Sequence, residues 1–80
     1  MNVRQFHVKN QFIITSEKGT FFQSYNTIIA KKKDGQITLD QNAWNYSSTT
    51  GKYRNLFLGE DKKTTERQIK EGVYKLVNLN

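Results

Sequence analysis

Apolar and polar residues alternate with a period of two through much of the first half of the chain. Between Arg4 and Thr15 the even positions Phe6, Val8, Phe12 and Ile14 are apolar, while Gln5, His7, Lys9 and Gln11 are polar. That spacing predicts one strand with a single buried face. Ile13 breaks the polar side, and Asn10 interrupts the apolar side in the manner of a bulge. Ser16-Glu17-Lys18-Gly19 reads as a hairpin loop, with glycine where a positive φ is needed, and Thr20 to Tyr25 as the returning strand. Next, Thr27 to Ala30 leads through Lys31-Lys32-Lys33 to Asp34-Gly35, and Gln36 to Asp40 follows. Asp-Gly between two β-prone runs is a strong two-residue hairpin signal, and it sets Lys33 opposite Gln36 and Lys32 opposite Ile37. The first half is therefore expected to be an antiparallel meander.

The period changes after Asp40. Ser47-Ser48-Thr49-Thr50 offers N-capping hydroxyls, and behind them Tyr53, Leu56 and Phe57 fall at i, i+3 and i+4 on one helical face. Gly59 is the expected stop. A second short helix is expected to start at Thr64 or Thr65, where Thr65 and Gln68 have capping-box spacing, and to end at Gly72 with Ile69 as its anchor. Val73 to Leu79 reads as a last strand. The expected architecture is α+β: an antiparallel meander sheet of four to five strands, with two short helices before the last strand.

Length makes this one domain, residues 1–80, because so short a chain cannot enclose a second core. A domain of this size buries roughly 60% of the surface of its unfolded chain. Stability is correspondingly small, which leaves room for a homodimer. Cysteine is absent, so there is neither a disulfide nor a thiolate metal site. No apolar run approaches the roughly 18 residues of a membrane span, and the first residues lack a signal-peptide layout. A cytoplasmic location and no membrane partner are expected. Thirteen Lys and Arg against seven Asp and Glu give a net charge of +6. Such an excess draws polyanions, nucleic acid first, although it also serves plain solubility.

Catalytic chemistry finds little support. His7 is the lone histidine and has no local partner for nucleophilic work, and one His without Cys argues against zinc. Asp40 with Glu60-Asp61-Lys62 imitates the acids and lysine of a magnesium-dependent nuclease, but the later pair falls past a helix stop, in an expected loop. Thr50-Gly51-Lys52 imitates the end of a phosphate-binding loop. That motif fails, because Tyr46 stands where the first glycine belongs and Tyr53 where Ser or Thr must follow the lysine. No enzyme activity, catalytic residue, metal or cofactor is expected.

A binding role fits better. Hydroxyls at Ser48, Thr49 and Thr50, free amides at a helix start, and Lys52 with Arg54 could hold a backbone phosphate. The same hydroxyls could equally do no more than cap the helix. Lys31, Lys32 and Lys33 sit at a hairpin tip, where they would meet phosphates or simply keep the edge from aggregating. Cations interleave with aromatics at Trp44, Tyr46, Lys52, Tyr53 and Arg54, as in surfaces that stack unpaired bases. Trp44, Phe57 and Tyr53 are wanted by the core, which leaves Tyr46 as the aromatic expected to stay partly exposed.

Trp44-Asn45-Tyr46-Ser47-Ser48-Thr49-Thr50-Gly51-Lys52-Tyr53, followed by Phe57-Leu58-Gly59, resembles a family of short uncharacterised proteins encoded by tailed bacteriophages and prophages, largely of Gram-positive bacteria. Ser24 to Ala30 and Gly72 to Asn80 share the likeness, which covers roughly residues 21–80. The resemblance implies a setting, a small phage accessory protein in the infected bacterial cytoplasm, and carries no site residue with it. Within that setting the leading expectation is nucleic-acid binding with little sequence preference, by a stripe that forms if the hairpin lysines and the helix cluster share a face. The alternatives are a module that binds and inhibits a host protein, and a small structural phage component.

Overall fold

His7 divides the expected first strand in two. The computed structural model describes all of Met1–Asn80, and in it β1 (Asn2–Phe6) turns at His7, with φ of 67°, into antiparallel β2 (Val8–Ser16). Phe6 pairs with Val8 and Gln5 with Phe12, so Lys9, Asn10 and Gln11 have no partner on β1. Asn10 takes a φ of 70° within this irregular stretch. Histidine and asparagine are among the few non-glycine residues that tolerate such backbone, so no glycine or proline signals the turn.

The irregularity also exchanges the faces of β2. Gln11 and Ile13 are buried, whereas Phe12 and Ile14 remain half-exposed on the opposite side. Ile13, the residue out of phase in the sequence, is the core residue.

β3 (Gly19–Ser24), β4 (Thr27–Lys33) and β5 (Gln36–Asp40) continue the meander as expected. Asp34 and Gly35 have φ of 52° and 77°, both positive as a two-residue hairpin turn of this hand requires, and Lys33 pairs with Gln36 and Lys32 with Ile37. Gly19 carries a φ of 128°, and a Cβ there would lie 2.8 Å from the backbone oxygen of Lys32. Gly19→Ala is expected to cost roughly 2 kcal/mol through this strain and backbone clash. Chemical denaturation would measure it, and a loss under about 0.5 kcal/mol would remove the clash from the account.

Ser47 caps α1 (Ser48–Leu58), its hydroxyl accepting from the Thr50 amide at 3.1 Å, and Gly59 closes the helix in the left-handed region. The buried face of α1 is Thr50, Tyr53, Arg54 and Phe57; Leu56, expected on that face, is half-exposed. α2 (Lys62–Lys70) begins two to three residues ahead of the expected start at Thr64 or Thr65. Asp61, not a threonine, is its cap, accepting from the Thr64 amide at 2.8 Å. Thr65 is instead fully buried and donates to Glu60.

β6 (Lys75–Val77) is shorter than the predicted Val73–Leu79 and pairs parallel with β5, the two helices forming the crossover. The sheet thus has six strands in the order β1-β2-β3-β4-β5-β6, mostly antiparallel, and the class is α+β. Six rather than four to five strands arise because Arg4–Thr15 yields two.

Two neighbouring cross-strand rows define the faces. Arg4, Ile13, Phe22, Ala30, Leu39 and Leu76 align on one side. The middle four of these pack with Tyr53 and Phe57 of α1 and with Ile69 of α2. Val3, Ile14, Phe21, Lys31, Thr38 and Lys75 align on the other. Both helices therefore cover one face of the sheet and leave the second open.

Candidate functional site

The turn that follows β5 prepares the start of α1. Asp40 Oδ2 accepts from the amides of Asn42 and Ala43 at 3.1 and 2.9 Å, and the Trp44 amide reaches the Asp40 carbonyl at 3.1 Å. The chain then passes Tyr46, which is 54% exposed as expected, and enters α1 at Ser47. Trp44 is half-buried against the core, and Tyr53 and Phe57 belong to it.

Beside the first turn of α1 lies a groove of about 640 Å³ with no apolar residue in its lining. Ser47, Ser48, Gly51, Lys52, Arg54 and Lys62 line it together with Asn45 and Asn55. Arg54 is its unusual member, being only 1% exposed. Its Nη1 donates to the Trp44 carbonyl at 2.8 Å and to Asn45 Oδ1 at 3.4 Å, and its Nη2 donates to Asn55 Oδ1 at 2.9 Å. Nε has no partner, and the guanidinium carbon sits 5.3 Å from the centroid of the Trp44 ring.

Every one of these contacts is to a neutral group. Burial pushes the Arg54 pKa below its ordinary value, and Glu66 and Glu60 oppose this through space. The guanidinium stays charged regardless, because its ordinary value lies so far above neutrality. A buried cation with only neutral hydrogen-bond partners is costly, and an anion in the groove would offset that cost. At Gly51 a Cβ would lie 3.7 and 3.8 Å from Nη1 and Nη2, at ordinary contact distance, so this turn of α1 packs directly beside the guanidinium.

Other residues singled out in the sequence are distributed differently. Ser48 and Lys52 line the groove and are exposed, and Thr49 is exposed beside them. Lys52 Nζ lies 5.5 Å from the Tyr53 ring centroid. Thr50 does not reach the surface: it is fully buried, and its hydroxyl bonds that of Ser24 at 2.9 Å. Lys62 joins the groove although the sequence pattern missed it, because α2 was expected to begin later. The Asp61 cap was the available signal.

The triple lysine is divided by strand alternation. Lys31 and Lys33 project from the open face, and Lys31 Nζ is 5.6 Å from the Phe21 ring centroid. Lys32 points to the helix side, donating to the Phe57 carbonyl with its Nζ 4.4 Å from the Phe57 ring centroid. The hairpin tip thus meets the C-terminal end of α1, while the groove lies at its start, about 16 Å away by helical rise. The two cationic clusters do not merge into the single stripe that the sequence suggested.

The acids considered for metal chemistry are engaged in the fold. Asp40 Oδ1 accepts from the Leu79 amide at 2.8 Å and from Asn80 Nδ2 at 3.1 Å. Glu60 accepts from the hydroxyls of Thr65 at 2.7 Å and Tyr74 at 2.6 Å. Burial and then this contact push the Tyr74 pKa up to about 12. No three His, Cys, Asp or Glu residues cluster as metal ligands would. His7 is exposed, its ring 4.4 Å from that of Phe6. No helix is long and apolar enough to cross a membrane.

A small basic α+β domain, with helices on one sheet face and a cationic groove at a helix start, is the class that fold and site define. The chain belongs to DUF8033, a family of unknown function whose model matches residues 1–72. The match begins at the first residue, ahead of the roughly residue-21 start of the likeness seen in the sequence. Neither a curated protein nor a solved structure matches this chain.

Proposed function

We propose that this domain binds nucleic acid with little sequence preference, as a phage accessory protein in the cytoplasm of the infected bacterium. The phage setting rests on the resemblance of the stretch from Trp44 to Tyr53. The observation that carries the binding reading is Arg54, buried with neutral partners only, beside Lys52 and Lys62 in an all-polar groove. The first amides of α1 and the Ser48 hydroxyl add donors of the kind that hold phosphate oxygens. Phosphate contacts are the same for every sequence, which accounts for the expected lack of preference. Lys31 and Lys33 would meet further phosphates on the other face.

Binding of labelled oligonucleotides measured over a range of salt tests this. Each phosphate neutralised contributes a slope of about −0.9 on duplex and about −0.7 on single strands. Lys52→Ala with Lys62→Ala is expected to flatten the slope by about 1–2 and to weaken all sequences alike. Absence of binding at low salt, or a slope unmoved by the double variant, sinks the groove.

A protein partner is the second reading, favoured by Tyr46 and Tyr25 at 54% and 47% exposure. It predicts capture of one host protein that survives nuclease treatment.

A further inference from the structure

We propose that the open face of the sheet is a second contact surface, a platform on which unpaired bases stack. This rests on the nucleic-acid reading and narrows it, since it selects single strands over duplex. Phe12 and Phe21 project from that face, and Phe21 stands in one row with Lys31 and Lys75. Gln23 separates Phe12 from Ile28 in the next row.

The face divides by chemistry as it crosses the sheet. In this row apolar Val3, Ile14 and Phe21 occupy β1 to β3, and Lys31 of β4 and Lys75 of β6 flank Thr38 of β5, with Lys33 beside them on β4. Strands lie about 4.8 Å apart, so the row from Phe21 to Lys75 covers roughly 14 Å. A flexible strand laid across it would set bases on the apolar half and phosphates on the cationic half. That matches the pairing of aromatic faces with cations through which single strands are held. In a duplex the bases are already stacked and the apolar half would face phosphates, so the complementarity belongs to the single strand alone. An acidic protein could satisfy the lysines, but the juxtaposed Phe21 and Lys31, 5.6 Å apart, favour a ligand carrying a π-face and an anion in each repeat.

The groove beside α1 lies on the helix side, so the two surfaces are separable by mutation. Fluorescence anisotropy with an oligo(dT) strand and a blunt duplex of equal length is the experiment. Phe21→Ala is expected to weaken single-strand binding about five- to a hundredfold and to leave duplex binding unchanged. Phe21→Tyr should restore it, because the aromatic face is kept. Equal weakening on both ligands, or duplex bound in preference to oligo(dT) by the native protein, overturns the platform while leaving the groove standing. No binding of either ligand overturns both readings. Should Phe21→Ala fail to fold, photo-crosslinking of bromodeoxyuridine oligonucleotides to the native protein decides. Adducts on the peptide bearing Phe21 support the platform, and adducts confined to Trp44–Tyr53 overturn it.

Discussion

Phe22→Ala is expected to leave the domain at or beyond the edge of unfolding at room temperature. Phe22 has no exposed surface and occupies the middle of the sheet on β3. Its ring stacks on Phe57 with centroids 5.7 Å apart and meets the edge of Phe6 at 5.9 Å. One side chain thus joins β1, β3 and α1. Truncating a buried phenylalanine costs about 3–5 kcal/mol, through lost transfer energy and the cavity left behind. A core of nine buried residues in so small a domain supplies a stability of only about 3–5 kcal/mol. The single change therefore removes most or all of it. Phe22→Leu, which keeps more of the volume, should cost about 1–2 kcal/mol and preserve a cooperative transition. Urea unfolding followed by Trp44 fluorescence checks both. A Phe22→Ala variant that unfolds cooperatively within about 1 kcal/mol of the parent would falsify a core centred on Phe22.

Asp40→Ala is expected to be the most damaging polar substitution, at about 3 kcal/mol near pH 7. Asp40 is 2% exposed and accepts from the amides of Asn42, Ala43 and Leu79 and from the side chain of Asn80. It therefore holds both the turn into α1 and the tail that follows β6. Asn80 in turn exchanges two hydrogen bonds with Ile28 of β4, so the last residues depend on this carboxylate for their seat. Burial pushes the Asp40 pKa up, but its hydrogen-bond donors outweigh that and hold it below the ordinary 3.8.

The sign of the pH dependence follows. The folded state favours the ionised form, so the contribution is complete above the unfolded value near 4. It is lost as pH falls through the folded value. The gap between parent and Asp40→Ala should accordingly narrow in acid. Asp61, whose carboxyl is held low chiefly by the Thr64 amide, is common to both proteins and cancels in the difference. Urea titrations at about pH 7 and about pH 3 measure the gap, and an equal gap at both would show that the charge of Asp40 contributes nothing.

These two residues also show how far the sequence could be read. The Asp34-Gly35 turn, the Ser47 cap and the Gly59 stop were all legible, because each depends on residues within about four positions of itself. Asp40 was legible as an acid but not as an anchor, since one of its partners lies 39 residues away at Leu79. The same separation hid the fate of the proposed phosphate contacts. Thr50 bonds a hydroxyl 26 residues earlier, and Lys32 donates to a carbonyl 25 residues later. Ser48 and Lys52 do line the groove, beside a lysine from a helix whose start was misplaced.

The sequence by itself determined the Asp34-Gly35 turn, both ends of α1, the order of elements after β2 and the cationic balance, all consequences of short-range backbone chemistry and composition. Only the tertiary structure decided that His7 reverses the chain, that Ile13 rather than Phe12 faces inward, and that β6 runs parallel to β5. It also separated the basic residues between two ends of α1 and two faces of the sheet. The physical reason is that alternation tells which side chains share a face, whereas the face that is buried is chosen by where the helices pack. That choice rests on contacts such as Phe22 with Phe57, 35 positions apart in sequence, which no local pattern records.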